Sequence, residues 1–457
     1  MVGLATALML AQQGHAVTVL ERDAEPVPGT PADAWENWER PGVMQFRQPH
    51  TLLPGGWRVL RDRLPEVAQA LREAGGLRWS PLDAMPPTIT DQAPRAGDEK
   101  FVTVTARRPV LEYAFAAIAG SKIDVRRGVR VTGLLSDGPG HVAGVLIDEH
   151  TELRADLVID ASGRRSPLPG WLAAIGAEAT VEESEDSGFA YYSRFFRARD
   201  GAEVPSFHGP VLVEYDCYSI LTVKSDARTW SLTVFTSSRD RALRALHRES
   251  SWIRLLRASP MHERLATDGV PISGVLPAAG IVDRLRHLVI DGVPVATGIL
   301  AVGDSWACTN PSEGRGLALG LTHAAITADA VGERLGDPQG LALAHHRMTN
   351  ERLLPWYRDT VRSDRFRVAQ INAVIEGRPA PAAPADGYIA AMQNLVVGMQ
   401  RDAGLFRAFL EMRSVIAPAD EVLARPGMAG QINAAAADFR PSPPPGPSRP
   451  EVLALLS

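Results

Sequence analysis

The segment from Gly298 to Val331, GILAVGDSWACTNPSEGRGLALGLTHAAITADAV, restricts the possible folds more than any other part of this chain. A short apolar run ends at Gly303 and Asp304, a glycine-rich loop follows, and small apolar residues then recur over a length that only a helix accommodates. Buried strand, loop and long helix in that order set a helix N-terminus beside the end of a strand. Open amides and the helix dipole favour an electron-rich ligand at such a point. Gly303, Gly314 and Gly316, with Pro311 between them, let backbone approach that ligand closely. A plain glycine-rich turn explains the composition of the loop but not the Asp immediately before it.

Two further segments carry the same kind of information. Residues 3 to 13 read as a small-residue helix closed by Gly14, and Ala16 to Leu20 as a strand that ends in Glu21 and Arg22. This is the distal half of a βαβ unit, in which the acidic residue accepts hydrogen bonds from ribose hydroxyls. In ADLVIDASGRRS a buried strand delivers Asp160 to a turn eased by Gly163. Each segment taken alone also suits an ordinary strand and turn.

Together and in this order the three segments resemble the p-hydroxybenzoate-hydroxylase-type flavin monooxygenases and their relatives, the flavin epoxidases, halogenases and geranylgeranyl reductases. The resemblance spans residues 1 to 335. It implies an α/β chain: a Rossmann-like FAD-binding fold formed by residues 1–180 and 280–340, an inserted β-sheet substrate-binding domain at 181–279, and a helical C-terminal region at 341–457. It further implies FAD as cofactor, NAD(P)H as reductant, and O2 and a small organic, secondary-metabolite-like substrate as partners. Oxygen would reach the substrate by way of a flavin hydroperoxide. In such a protein Gly3 belongs to the phosphate-binding turn, Glu21 binds the adenosine ribose, Arg22 is a further cofactor-binding candidate, and Asp160 lies in a motif shared by FAD and the nicotinamide cofactor. Gly303 and Asp304 hold the ribityl chain, and Gly314, Gly316 and Leu317 sit beside the flavin pyrimidine edge. Arg108 contacts the cofactor's phosphates or ribityl chain, a role Arg107 could also take. The stretch ERPGVMQFRQPHTLL resembles one lying near the flavin in the epoxidase and halogenase relatives, which makes Gln45 and His50, with Pro311, candidates for lining the active site. No catalytic acid or base is identified.

The chain departs from the family where Met1 occupies the last variable position of GxGxxG, so that Gly3 alone of that fingerprint is present. The expectation is a fold without its first strand, with unpaired neighbours and a reduced pyrophosphate cradle, from either a misplaced start codon or a trimmed sequence. The halogenase motif GWxWxIP is absent, which argues against halogenation. A flavin-dependent reductase of isolated double bonds and a non-catalytic flavoprotein remnant are the alternative readings.

Composition narrows the partners. With 48 basic and 53 acidic residues the net charge is -5, which gives no general attraction to nucleic acid or to an anionic membrane. No apolar run is long enough for a membrane span. Cys217 and Cys308 lie far apart in a chain that needs no disulfide, and Met1 to Leu10 lacks a basic leader; both point to the cytoplasm. No metal-ligand spacing and no nucleophile elbow occurs. The remaining pattern predicts a long loop from Pro26 to Pro54, helices over Trp57–Ala74 and Arg108–Ala119, and paired strands at Val129–Leu135 and Val142–Ile147. A sheet is expected within 187–240, and the helical tail is broken at Gly377–Pro384 and Pro441–Pro450. The aromatic residues Phe189 to Phe196, Tyr215, Tyr218 and Trp230 fit either a pocket or a core. Substrate and oligomeric state are not legible.

Overall fold

Small residues allow the first helix, Val2–Gln12, to lie directly on the glycine-rich helix Gly316–Arg334. A Cβ at Gly320 would overlap the side chain of Val2, so this crossing requires glycine. The computed structural model describes residues 1–148, 151–206, 209–384, 387–437 and 442–457. Gly14, at φ +90°, ends the first helix, and strand Thr18–Glu21 pairs in parallel with Asp124–Arg127. A second parallel pair joins Val158–Asp160 to Ile299–Ala301. The α/β layering is as expected, but the two parallel pairs are separate in hydrogen bonding. Their edges at Val17 to Leu20 and Leu157 to Ile159 border the same cavity.

The expected aromatic sheet is present as an antiparallel array in the order Leu212–Glu214, Ser219–Ser225, Thr229–Ser237, Phe189–Ala198 and Gly269–Pro271, with Leu276–Ala278 also paired to Phe189–Ala198. Its aromatic residues are mainly core: Phe196 stacks between Trp230 and Trp252, and Tyr215 on Tyr218. Of the aromatic residues singled out in sequence, Tyr191 alone among the described residues lines the cavity. Strand Val181–Asp186 falls within the expected 181–279 unit but pairs with Val282–His287 outside it.

Three local expectations are corrected by backbone chemistry. The helix expected over Trp57–Ala74 is two helices, Pro54–Arg63 and Pro65–Glu73, because Pro65 has no N–H to continue the first and suits the opening turn of the second. The loop Pro26–Pro54 contains a short helix, Pro31–Glu36, capped by Thr30, whose hydroxyl accepts from Asp33 N. The end of the chain does not stay with the helical tail. Helix Arg449–Leu456 buries Val452 and Leu456 in the antiparallel-sheet core, and Arg449 pairs with Asp240. Pro441 lies outside the described residues.

The rest of the tail is helical as expected, and it packs a core of its own that recruits Ile89 and Phe101 from the first half of the chain. Among the described residues no helix is long and apolar enough to cross a membrane, and no group of three or more metal-binding side chains converges. Cys217 and Cys308 are both buried and unpaired as thiols.

Candidate functional site

The parallel pairing of Ile299–Ala301 with Val158–Asp160 brings two turns side by side at one end of the strands. Val302 N donates to Asp160 O at 3.0 Å, and Gly163 N donates to Ser305 Oγ at 2.8 Å. The buried Arg286 clamps both turns, donating to Ser305 O at 2.8 Å and to Ser166 O at 3.0 Å. Gly303 N is held by His323 Nδ1 at 3.1 Å. Burial, with His345 stacked against it, keeps His323 neutral by pushing its pKa well below the usual value, as an accepting Nδ1 requires.

Beside these turns lies a cavity of about 2970 Å³. Gly3, Glu21, Arg22, Gln45, His50, Arg108, Asp160, Gly303, Asp304, Pro311, Gly314, Gly316 and Leu317 all line it. Ligand pockets commonly measure about 300–1,000 Å³, so the space admits a dinucleotide and a second molecule together.

Three residues of the cavity lining carry polar groups without a hydrogen-bond partner among the described residues. Asp304 makes no hydrogen bond or ion pair among the described residues; burial raises its pKa, while Arg164, Arg108 and Arg284 oppose the rise. Thr51 Oγ1 and Arg127 Nη1 are buried without a hydrogen bond. Gly314 has φ +67°, a Cβ at Gly316 would meet open space, and helix Gly316–Arg334 has no side-chain cap over its first amides. A carboxylate acceptor, a hydroxyl, a guanidinium and open amides suit a ligand with a polyol chain, phosphates and an electron-rich ring. These features fit FAD.

The neighbours Arg107 and Arg108 are placed differently. Arg107 is buried, bonds Asp226 through Nη2 at 2.6 Å, and stacks on Trp35, away from the cavity lining. Arg108 lines the cavity, bonding Glu112 Oε1 at 2.8 Å and His50 Nε2 at 2.8 Å. His50 Nδ1 lies 2.9 Å from Gln48 O. Burial, reinforced by Arg108, lowers the His50 pKa to about 3. His50 is therefore a neutral ring that donates to Gln48 and accepts from Arg108, and it orients that arginine.

Other predicted residues are tied up within the protein. Glu21 pairs with Arg40 and accepts from Asp23 N at 3.0 Å, and Arg22 donates to Gly42 O at 3.1 Å. Both Asp160 oxygens serve their own turn, one accepting from Ser162 N at 2.9 Å and Oγ at 2.6 Å, the other from Ser166 Oγ.

Arg40 and Glu112 were not legible from sequence as parts of the site. Arg40 bridges Glu21, Asp23 and Glu112, and although burial alone would raise the Glu112 pKa, Arg108 and Arg40 help bring it down to about 2. The available signal was Glu112 lying four residues after Arg108 in an otherwise apolar helix. The tail also contributes a wall through Met392, Met399, Phe409, Met412 and Arg413.

This arrangement of turns, cavity and antiparallel sheet is similar in fold to solved structures that include a flavin-dependent brominase and a probable FAD-dependent monooxygenase. The chain aligns with the Diels-Alderase PyrE3 of pyrroindomycin biosynthesis at TM-score 0.59 and 16% identity, over 91% of this chain and 78% of that one. It aligns with the flavin-dependent brominase Bmp2 at 0.58 and 14%, over 90% and 96% of the two chains. With the anhydrotetracycline hydroxylase OxyS of Streptomyces rimosus the values are 0.57 and 17%, over 90% and 73%. In sequence it is 27% identical to protein Rv3254 of Mycobacterium tuberculosis over 345 residues, 69% of this chain and 68% of that protein. No family model matches the chain.

Proposed function

We propose that this protein is an FAD-dependent monooxygenase that uses NAD(P)H and O2, in the cytoplasm, to hydroxylate or epoxidise a small apolar organic substrate. The observation that carries the reading is the meeting of three separate sequence motifs on one cavity, whose lining includes Asp304 and residues Thr51 and Arg127 with buried polar atoms that lack a hydrogen bond. Bound FAD would supply the redox chemistry, taking a hydride from the nicotinamide and activating oxygen.

The protein's own part is to bind, orient and keep the site dry. Asp304 would accept from the ribityl hydroxyls, and Arg108, held by His50 and Glu112, would meet phosphate or ribityl oxygens. The turn at Gly314 to Leu317 would carry the pyrimidine edge. Glu21 would exchange part of its pairing with Arg40 for a ribose contact. The wall of Met392, Met399, Phe409 and Met412 supports an apolar substrate, since flexible thioethers and aromatic faces shed water and adapt to shape. The fold also supports a division into an FAD-binding body, an inserted sheet and a helical tail that closes the substrate side.

The visible spectrum of the protein after purification and after incubation with FAD tests the reading. A bound-flavin spectrum at one flavin per chain, together with oxygen uptake driven by NAD(P)H and stimulated by an apolar aromatic compound, is the expected result. Flavin reduction and substrate turnover without oxygen uptake would assign the protein to the double-bond reductases instead.

A further inference from the structure

Behind the Pro311–Glu313 turn lies a polar cluster that joins Asn310 and Ser312 of the glycine-rich loop to residues outside every motif. Ser312 donates from Oγ to Asp364 Oδ1 at 2.7 Å, and Asp364 stands on helix Leu354–Ile375, only 4% exposed. Tyr191, from strand Phe189–Ala198, donates to Asn310 Oδ1 at 2.6 Å, and Asn310 N donates to Asp283 Oδ1 at 2.5 Å. Asn310 Nδ2 and Asp364 Oδ2 are both buried and both lack a hydrogen bond of normal geometry. Tyr191, Asn310 and Ser312 line the cavity, whereas Asp364 and Asp283 stand behind them. Four elements thus converge on one buried carboxyl, beside the turn assigned to the flavin ring.

We propose that Asp364 and Ser312 form a two-residue proton relay opening on the cavity at the Pro311–Gly314 turn, with Asn310 and Tyr191 fixing its geometry. The proposal rests on the flavin reading for the identity of the proton acceptor. When Asp364 is ionised, Ser312 donates to it and has no proton to offer the cavity. When Asp364 is protonated, the same 2.7 Å contact reverses and the serine hydroxyl is released toward the cavity. In the transfer Asp364 gives its carboxyl proton to Ser312 Oγ, and Ser312 gives its own hydroxyl proton to an anionic oxygen or basic nitrogen of the bound ring system. The acceptor gains one proton, Asp364 is left as carboxylate, and no electrons move. A proton from solvent restores Asp364 by the same path in reverse.

The surroundings set the operating range. Burial raises the Asp364 pKa to about 7, with Asp283 adding to the rise and Ser312, Asn310 and Arg315 opposing it. Asp283 is itself raised to about 6 by burial and Glu185, against Asn310 N, Arg164 and Arg365. Tyr191 is held neutral, its pKa pushed up by burial and by Asp364. Arg315, at the start of the glycine helix, is occupied by Asp359, to which it donates at 2.5 Å. His50 and His323, two of the histidines lining the cavity, are too acidic as conjugate acids to donate near neutrality. Asp364 is thus suited to exchange a proton near neutral pH.

The test uses the full chain reconstituted with FAD, with D364N, S312A and S312T. A pH-difference infrared spectrum should show a protonated-carboxyl band titrating near 7 that is absent in D364N and retained in S312A. Reoxidation of the reduced flavin by oxygen, followed by visible absorbance across neutral pH, should show an inflection near 7 in the wild type. D364N should lose that inflection. S312A should react at least about tenfold more slowly on the acid side, and S312T should recover because it keeps the hydroxyl. A band titrating near 7 that persists in D364N, as distinct from an Asp283 band near 6, or one pH profile shared by all four proteins with flavin bound, overturns the relay. Failure of the wild type to bind FAD defeats the flavin reading instead, and the infrared band, which needs no flavin, still decides whether Asp364 holds a proton.

Discussion

Arg107 and Arg108 are adjacent and chemically identical, and their fates are set by what packs around them. Arg107 forms a buried pair with Asp226 that links the helix start to the antiparallel sheet, so removing it strands a buried carboxylate. R107A is expected to lose about 3–5 kcal/mol of stability, measured by chemical denaturation. R108A leaves Glu112 paired with Arg40, so it should cost less stability than R107A and should bind FAD more weakly. D304A should raise the FAD dissociation constant by at least about tenfold, the worth of one hydrogen bond to a charged group, with unchanged circular dichroism. Full flavin retention in D304A would remove Asp304 from the site. The residue types were legible in sequence; the choice between the two arginines was not, because it depends on Asp226 and Trp35, 119 residues after and 72 before Arg107.

At the scale of elements, a close approach of two backbones falls on a glycine. Gly55 donates from N to Ser414 O at 2.8 Å, and a Cβ there would overlap the Val415 carbonyl, on a residue already at φ +57°. G55A is expected to destabilise by about 1–3 kcal/mol and to lower the melting temperature, because backbone rather than a flexible side chain must yield. Failure to see a shift would mean that the tail helices do not dock on helix Pro54–Arg63 in solution. Element type was legible wherever the apolar period was long, as in Gly316–Arg334, and where aromatic and β-branched residues clustered, as in Phe189–Ala198. The break at Pro65 was missed although proline chemistry predicts it, because the apolar pattern continues across it.

For the whole molecule, buried titratable groups give stability two opposed dependences on pH. His50, at about 3, and His262 and His345, both at about 4, lie below the ordinary value near 6.5, mainly through burial. The unfolded chain takes up protons below about 6.5 that the folded one refuses, so this stability is full above that pH and is lost as pH falls through 4 toward 3. Asp364 acts in the other sense. Its raised pKa contributes stability that is full below the ordinary value of 3.8 and is lost as pH rises through about 7. Calorimetry should therefore show D364N melting above the wild type at mildly alkaline pH, with the acid-side decline unchanged. Equal melting temperatures above neutrality would mean that Asp364 ionises there without cost.

The sequence by itself determined the α/β class, the three turn motifs and the residue types that line the cavity, because each depends on glycine, proline and apolar periodicity within about 15 residues. Tertiary structure decided which of those residues face the cavity and which are spent internally. Asp160 serves its own turn, Glu21 is held by Arg40, and His50 orients Arg108. It also decided that the tail walls the cavity and that helix Arg449–Leu456 returns to the sheet. The Asp364 cluster belongs to the same category: its members come from positions 191, 283, 310, 312 and 364, and no local pattern connects them. Burial raises the pKa of that carboxyl, and burial is a property of packing among distant segments that one-dimensional periodicity does not encode.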